Sequence, residues 1–165
     1  MLKPFSKITA LMLPLVGIFL LVFGVAGFAQ EKTGKGGWEL GSPYNKFYNA
    51  TELDSFKGTV EEIREIVPLP GMSPGIALVV SESKTEKVLV HVAPSWFMDI
   101  KSVGLKKGDR VKVRGVWAEV NGKDVFMASK ITKGDYFSLK VRLTKDGTPF
   151  WTMTPERLAK ERQND

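Results

Sequence analysis

The sequence predicts a mainly β domain, a small Greek-key barrel with a short helical plug and a C-terminal hairpin, carried behind an N-terminal hydrophobic helix. Three observations predict it. Ile8 to Ala29 holds no charged residue, and a run of ~20 apolar residues suits a membrane environment. From Ser55 onward, short stretches alternate apolar and polar residues, the period of strands with one buried face. Turn chemistry separates them, and Asn121-Gly122 is the strongest hairpin signal, because both residues tolerate positive φ.

The N-terminal segment, residues 1–29, reads as a signal peptide or a membrane anchor. Lys3 and Lys7 flank the uncharged run, and Gly27-Phe28-Ala29 places small residues at alternate positions, the pattern that signal peptidase accepts. In either form the two lysines stay in the cytoplasm. The expected location is therefore exported, periplasmic or extracytoplasmic, with inner-membrane anchoring if the segment stays uncut. Residues 30–54 read as a linker and irregular arm. Glu31 to Ser42 (EKTGKGGWELGS) lacks apolar periodicity and is expected to be a tether. Pro43 to Asp54 brings Tyr44, Phe47 and Tyr48, which are expected to pack on the domain as an arm.

Residues 55–151 are expected to form the barrel and its hairpin. The first strand starts at Phe56, carries Gly58 and slips its apolar phase between Val60 and Ile63, as a bent strand does. Pro68 to Gly75 is a loop rich in Pro and Gly. Ile76 to Val80 and Lys87 to Val92 are the second and third strands, with Val88, Val90 and Val92 sharing one face. Pro94 opens a short helical turn, from which Trp96, Phe97 and Ile100 would plug one end of the barrel. Arg110 to Trp117 is a fourth strand, with Val111 and Val113 inward and Arg110, Lys112 and Arg114 outward. The fifth runs from Asp124 to Ile131. Tyr136 to Leu143 and Thr148 to Trp151 make the closing hairpin, and residues 152–165 are a charged tail.

Composition excludes several classes of function. The chain has 165 residues, no cysteine and one histidine, so thiolate chemistry and cysteine-bound metal or haem are ruled out. Lys and Arg number 24 against 18 Asp and Glu. Setting aside Lys3 and Lys7 leaves 22 against 18, too mild an excess for a dedicated nucleic-acid binder. No nucleophile elbow or phosphate-cradling glycine loop occurs. A non-enzyme without a cofactor, a metal or a catalytic residue is the expectation.

Phe56-Lys57-Gly58-Thr59-Val60, His91 to Phe97, the run Gly108-Asp109-Arg110-Val111-Lys112-Val113-Arg114-Gly115 and the closing Asp146 to Trp151 together resemble a family. They look like small exported bacterial OB-fold-like domains related to magnetosome-associated OB-like proteins. The resemblance covers Phe56 to Trp151 and implies the fold, not a reaction. No catalytic residue is carried over, because fold analogy alone does not license a function.

The expected role is a non-catalytic binding or assembly module of the envelope that engages a protein partner. Candidate contact residues are His91, Trp96, Phe97, Lys112, Arg114, Trp117 and Trp151. The aromatics are large enough to anchor an interface, and the basic stripe of the fourth strand suits an anionic surface. Two other readings stand beside this one. One is a ligand-binding domain for an anionic polymer, an oligosaccharide or a metal. The other is a membrane-anchored accessory subunit of an electron-transfer or transport complex, associated with the membrane through residues 8–29.

Overall fold

The computed structural model describes residues 34–163. A one-turn helix α1 (Pro43–Lys46) leads into β1 (Asp54–Ile66), β2 (Gly75–Ser81) and β3 (Lys87–Pro94). Then come β4 (Arg110–Val120), β5 (Lys123–Lys133), the short β6 (Phe137–Lys140) and a closing helix α2 (Pro155–Gln163). The strands form one six-stranded sheet in the order β3-β2-β1-β4-β5-β6, and its successive neighbours are antiparallel.

This is a mixed α/β domain on a single sheet, which corrects the expected mainly β, OB-like Greek-key barrel. The sheet curls until β3 meets β5 in parallel, but only Val90↔Phe126 and His91↔Met127 are in register there. Pro94 ends β3 and has no N–H to extend the contact. The short helical plug is also corrected: the chain after Pro94 turns irregularly and then forms a 3-10 turn at Ile100–Val103. Asp99 caps that turn by accepting the Lys101 N–H at 2.9 Å.

The expected C-terminal hairpin is absent as well. Its first strand shortens to β6 because the N–H groups of Val141 and Arg142 both donate to the Ser129 carbonyl, at 2.8 and 3.2 Å. Ser129 is the extra residue where the β4–β5 register shifts. The returning segment contributes one bridge, Arg142↔Pro149, and then a 3-10 turn at Phe150–Thr152. Among the described residues no helix is long and apolar enough to cross a membrane. The expected N-terminal hydrophobic helix falls in residues 1–29, outside the described residues.

Local sequence features account for much of the sheet. The phase slip in β1 is a bulge at Glu61, since Val60 pairs with Val80 and Glu62 with Val79. Around it the Val60 N–H donates to the Asp109 carbonyl at 2.9 Å, and the Gly108 N–H donates to the Val60 carbonyl at 2.7 Å. The β4–β5 hairpin turns through Asn121 (φ 52°) and Gly122 (φ 71°), the left-handed pair that a two-residue turn needs. Gly115 is required by packing: a Cβ there would run into the Met127 carbonyl.

The core fills the inside of the curl with Val60, Ile76, Leu78, Val80, Val90, Val113, Phe126 and Ile131, all buried. One member comes from the segment expected to be a tether. Trp38 is 0% exposed, its indole N–H donates to the Ser73 carbonyl at 3.0 Å, and its ring meets Tyr44 edge-on at 4.7 Å.

Candidate functional site

The seven candidate residues fall into three places. The first is an aromatic series that runs from the surface into the core. Trp96 lies in the turn after β3 and is 47% exposed. Its ring meets Phe97 at 6.4 Å, Phe97 meets Trp151 at 6.2 Å, and Trp151 meets Trp38 at 5.6 Å. Tyr44 follows Trp38 and stacks on His91 at 6.0 Å. Four of the seven, Trp96, Phe97, Trp151 and His91, therefore belong to one packed unit, linked by Tyr44, which was expected to pack on the domain, and by Trp38, which sequence reasoning missed. A tryptophan in a Gly-rich stretch carries no period that marks it as core.

His91 and Trp151 are buried, at 4% and 3% exposure. Trp151 donates its indole N–H to the Trp38 carbonyl at 2.8 Å. His91 Nδ1 lies 3.2 Å from the Tyr44 hydroxyl. Burial, and secondarily the nearby Arg142 charge, lowers the His91 pKa from 6.5 to about 4. Its outer side borders a hollow of about 200 Å³ that also takes in Arg64, Asn121 and Lys123. Among the described residues no group of three His, Cys, Asp or Glu side chains is placed to hold a metal ion.

The depressed His91 pKa has a measurable consequence. Above pH 6.5 the imidazole is neutral folded and unfolded. As pH falls from 6.5 toward 4 the unfolded chain takes up a proton that the folded one refuses, so stability is lost across that window. Between pH 7.5 and 5 the unfolding free energy from urea titration is expected to drop by about 2 kcal/mol from this group. His91→Gln is expected to flatten that drop, and an unchanged slope would refute the assignment.

Beneath the aromatic series lies Arg142, buried at 2% exposure and also unmarked in the sequence. Its guanidinium donates through Nη2 to Asn45 Oδ1 at 2.8 Å and through Nη1 to the Gly147 carbonyl at 3.2 Å. It sits 4.8 Å from the centre of the Tyr48 ring and 4.7 Å from that of Trp151. Burial pulls its pKa below the usual guanidinium range, opposed by Tyr44 and Tyr48. Burial likewise raises the Tyr44 phenol well above its ordinary value. Asn45 also donates its amide N–H groups to the carbonyls of Trp38 and Glu39, at 3.0 and 2.7 Å. One arginine thus ties the N-terminal arm to the C-terminal segment.

Lys112 and Arg114 occupy a second place, the outward face of the sheet. Register aligns this face in three rungs. Thr59 pairs with Arg110; Lys57, Lys112, Thr132 and Ser138 form the next; Ser55, Arg114, Lys130 and Lys140 form the third. Six of these ten positions are Lys or Arg and the other four are Ser or Thr. Trp117 occupies a third place on the inner side, 43% exposed. It packs on Phe126 at 5.1 Å and on Phe56 at 6.2 Å.

Compared with known families, residues 52–138 match the model of the MamS/MamX magnetosome protein family, just over half of the chain. No curated protein gives a significant match.

Proposed function

Because this chain belongs to the MamS/MamX magnetosome protein family, we propose that it is a non-catalytic assembly module of the envelope that holds a protein partner at the Trp96 end of its sheet. Family membership is consistent with a non-enzymatic role and with an envelope or membrane-adjacent location. The carrying observation is Trp96 itself. Its half-exposed indole borders a shallow hollow of about 410 Å³ formed with Gly34, Lys35, Gly36 and Ser73. Lys35 Nζ donates to the Trp151 carbonyl at 2.7 Å and lies 5.8 Å from the Trp96 ring.

A large aromatic beside a preset hollow is the arrangement that anchors protein interfaces. Phe97 and Trp151 support it from below, so His91 and Trp151 serve the site by packing rather than by contact. The export reading of residues 1–29 belongs to the same proposal. It rests on the uncharged Ile8 to Ala29 run behind Lys3 and Lys7.

A lysine-reactive cross-linker applied to intact cells is expected to join Lys35 to one defined protein, identified by mass spectrometry. Trp96→Ala is expected to cut that yield about tenfold, the loss of one moderate anchor, while the unfolding midpoint stays unchanged. Undiminished cross-linking in the variant would remove Trp96 from the interface. Turnover of a defined substrate that depends on particular polar side chains would sink the non-catalytic reading altogether.

A further inference from the structure

We infer that the rungs of Lys and Arg on the outward sheet face dock the domain onto an anionic lipid surface, independently of the Trp96 end. The sheet places like charges directly opposite one another. Lys57 faces Lys112, Arg114 faces Lys130, and Lys130 faces Lys140. A cross-strand pair of like charge destabilises a sheet, and Lys57 with Lys112 makes such a pair on this face. Same-face neighbours lie ~4.8 Å apart across strands and ~6.7 Å apart along them, so the cations form a dense grid. Arg110, Lys112 and Arg114 are all exposed. The rungs contain no carboxylate, and Asp135 stands at the margin of the hollow beside Lys57 and Lys112.

The composition of the face selects the kind of surface. Protein interfaces centre on apolar and aromatic side chains and are depleted in Lys, yet the rungs hold only Lys, Arg, Ser and Thr. Single-stranded nucleic acid needs aromatic platforms beside its cations. The nearest aromatic on β4, Trp117, is instead turned to the inner side against Phe56 and Phe126. A lipid surface asks only for charge, and each Lys or Arg held against it adds independently to the attraction. Charge complementarity therefore favours anionic headgroups.

The test uses the full chain mixed with phosphatidylcholine vesicles, with and without added phosphatidylglycerol. Amine acetylation is read by mass spectrometry at Lys57 and Lys112, with Lys84 in the β2–β3 turn as the reference. Any attachment through residues 8–29 is common to both vesicle types, so the difference reports the basic face. Phosphatidylglycerol is expected to slow acetylation of Lys57 and Lys112 severalfold relative to Lys84, and added salt is expected to restore it. Lys57→Gln combined with Arg114→Gln is expected to weaken the protection of Lys112 while the far-ultraviolet circular dichroism stays unchanged. Equal labelling with and without phosphatidylglycerol would overturn the inference. So would protection by polyglutamate without protection by the anionic vesicles, which would assign the face to an acidic polypeptide.

Discussion

Trp38→Ala is expected to lower the unfolding free energy by roughly 3 to 5 kcal/mol, the cost of emptying a large aromatic site in a packed core. The side chain is fully buried and meets the rings of Tyr44 and Trp151 edge-on, at 4.7 and 5.6 Å. Its indole N–H also satisfies the Ser73 carbonyl, which the truncation would leave without that donor. Leu40→Ala is the control. Leu40 lies two residues further on and is 66% exposed, so its truncation should stay within about 0.5 kcal/mol. Urea unfolding followed by tryptophan fluorescence and circular dichroism measures both. If Trp38→Ala matched the wild type, the segment before α1 would be a tether in solution and the aromatic series would not be one unit.

Arg142→Met is expected to cost about 3 kcal/mol. Two acceptors, Asn45 Oδ1 and the Gly147 carbonyl, lose their donors, and each unsatisfied buried polar group costs ~1–3 kcal/mol. The cation–π contacts with Tyr48 and Trp151 disappear too. Part of this loss is offset, because the guanidinium no longer has to be desolvated. Arg142→Lys is expected to recover little, since one ammonium cannot reproduce the planar fork that reaches both acceptors. Equal losses for Met and Lys in urea titrations would support a geometric clamp, whereas full rescue by Lys would reduce the role to bare charge. Against a total stability of ~5–15 kcal/mol, either this change or the loss of Trp38 is large enough to loosen the N-terminal arm. The arm carries Asn45 and Tyr44, so loosening it would also free His91 from its 3.2 Å hydroxyl partner.

The sheet was legible because its causes are local. Alternation placed Val111 and Val113 inward and Arg110, Lys112 and Arg114 outward, as found. Asn121-Gly122 marked the hairpin, and the slip after Val60 marked the bulge. Closure was misread because it depends on how far β3 and β5 stay in register, which two residue pairs decide. The closing hairpin was misread because the Ser129 carbonyl captures two successive N–H groups, an event that strand patterning does not encode. At the site, Trp96 and Phe97 stood out as aromatics after a strand-ending proline. Trp38 and Arg142 did not, because each is held by a partner far along the chain, Trp151 for Trp38 and Asn45 for Arg142.

By itself the sequence determined where the first five strands lie and turn, which faces carry cations, and that no cysteine chemistry is present. Those properties follow from periodicity, turn stereochemistry and composition, which neighbouring residues set among themselves. Only the tertiary structure decided that the sheet curls to a two-pair contact, that six Lys and Arg residues line up across four strands, and that a buried arginine joins the two ends of the domain. Each of those depends on register or packing between distant segments, where the free energy belongs to the pair and is written in neither partner alone.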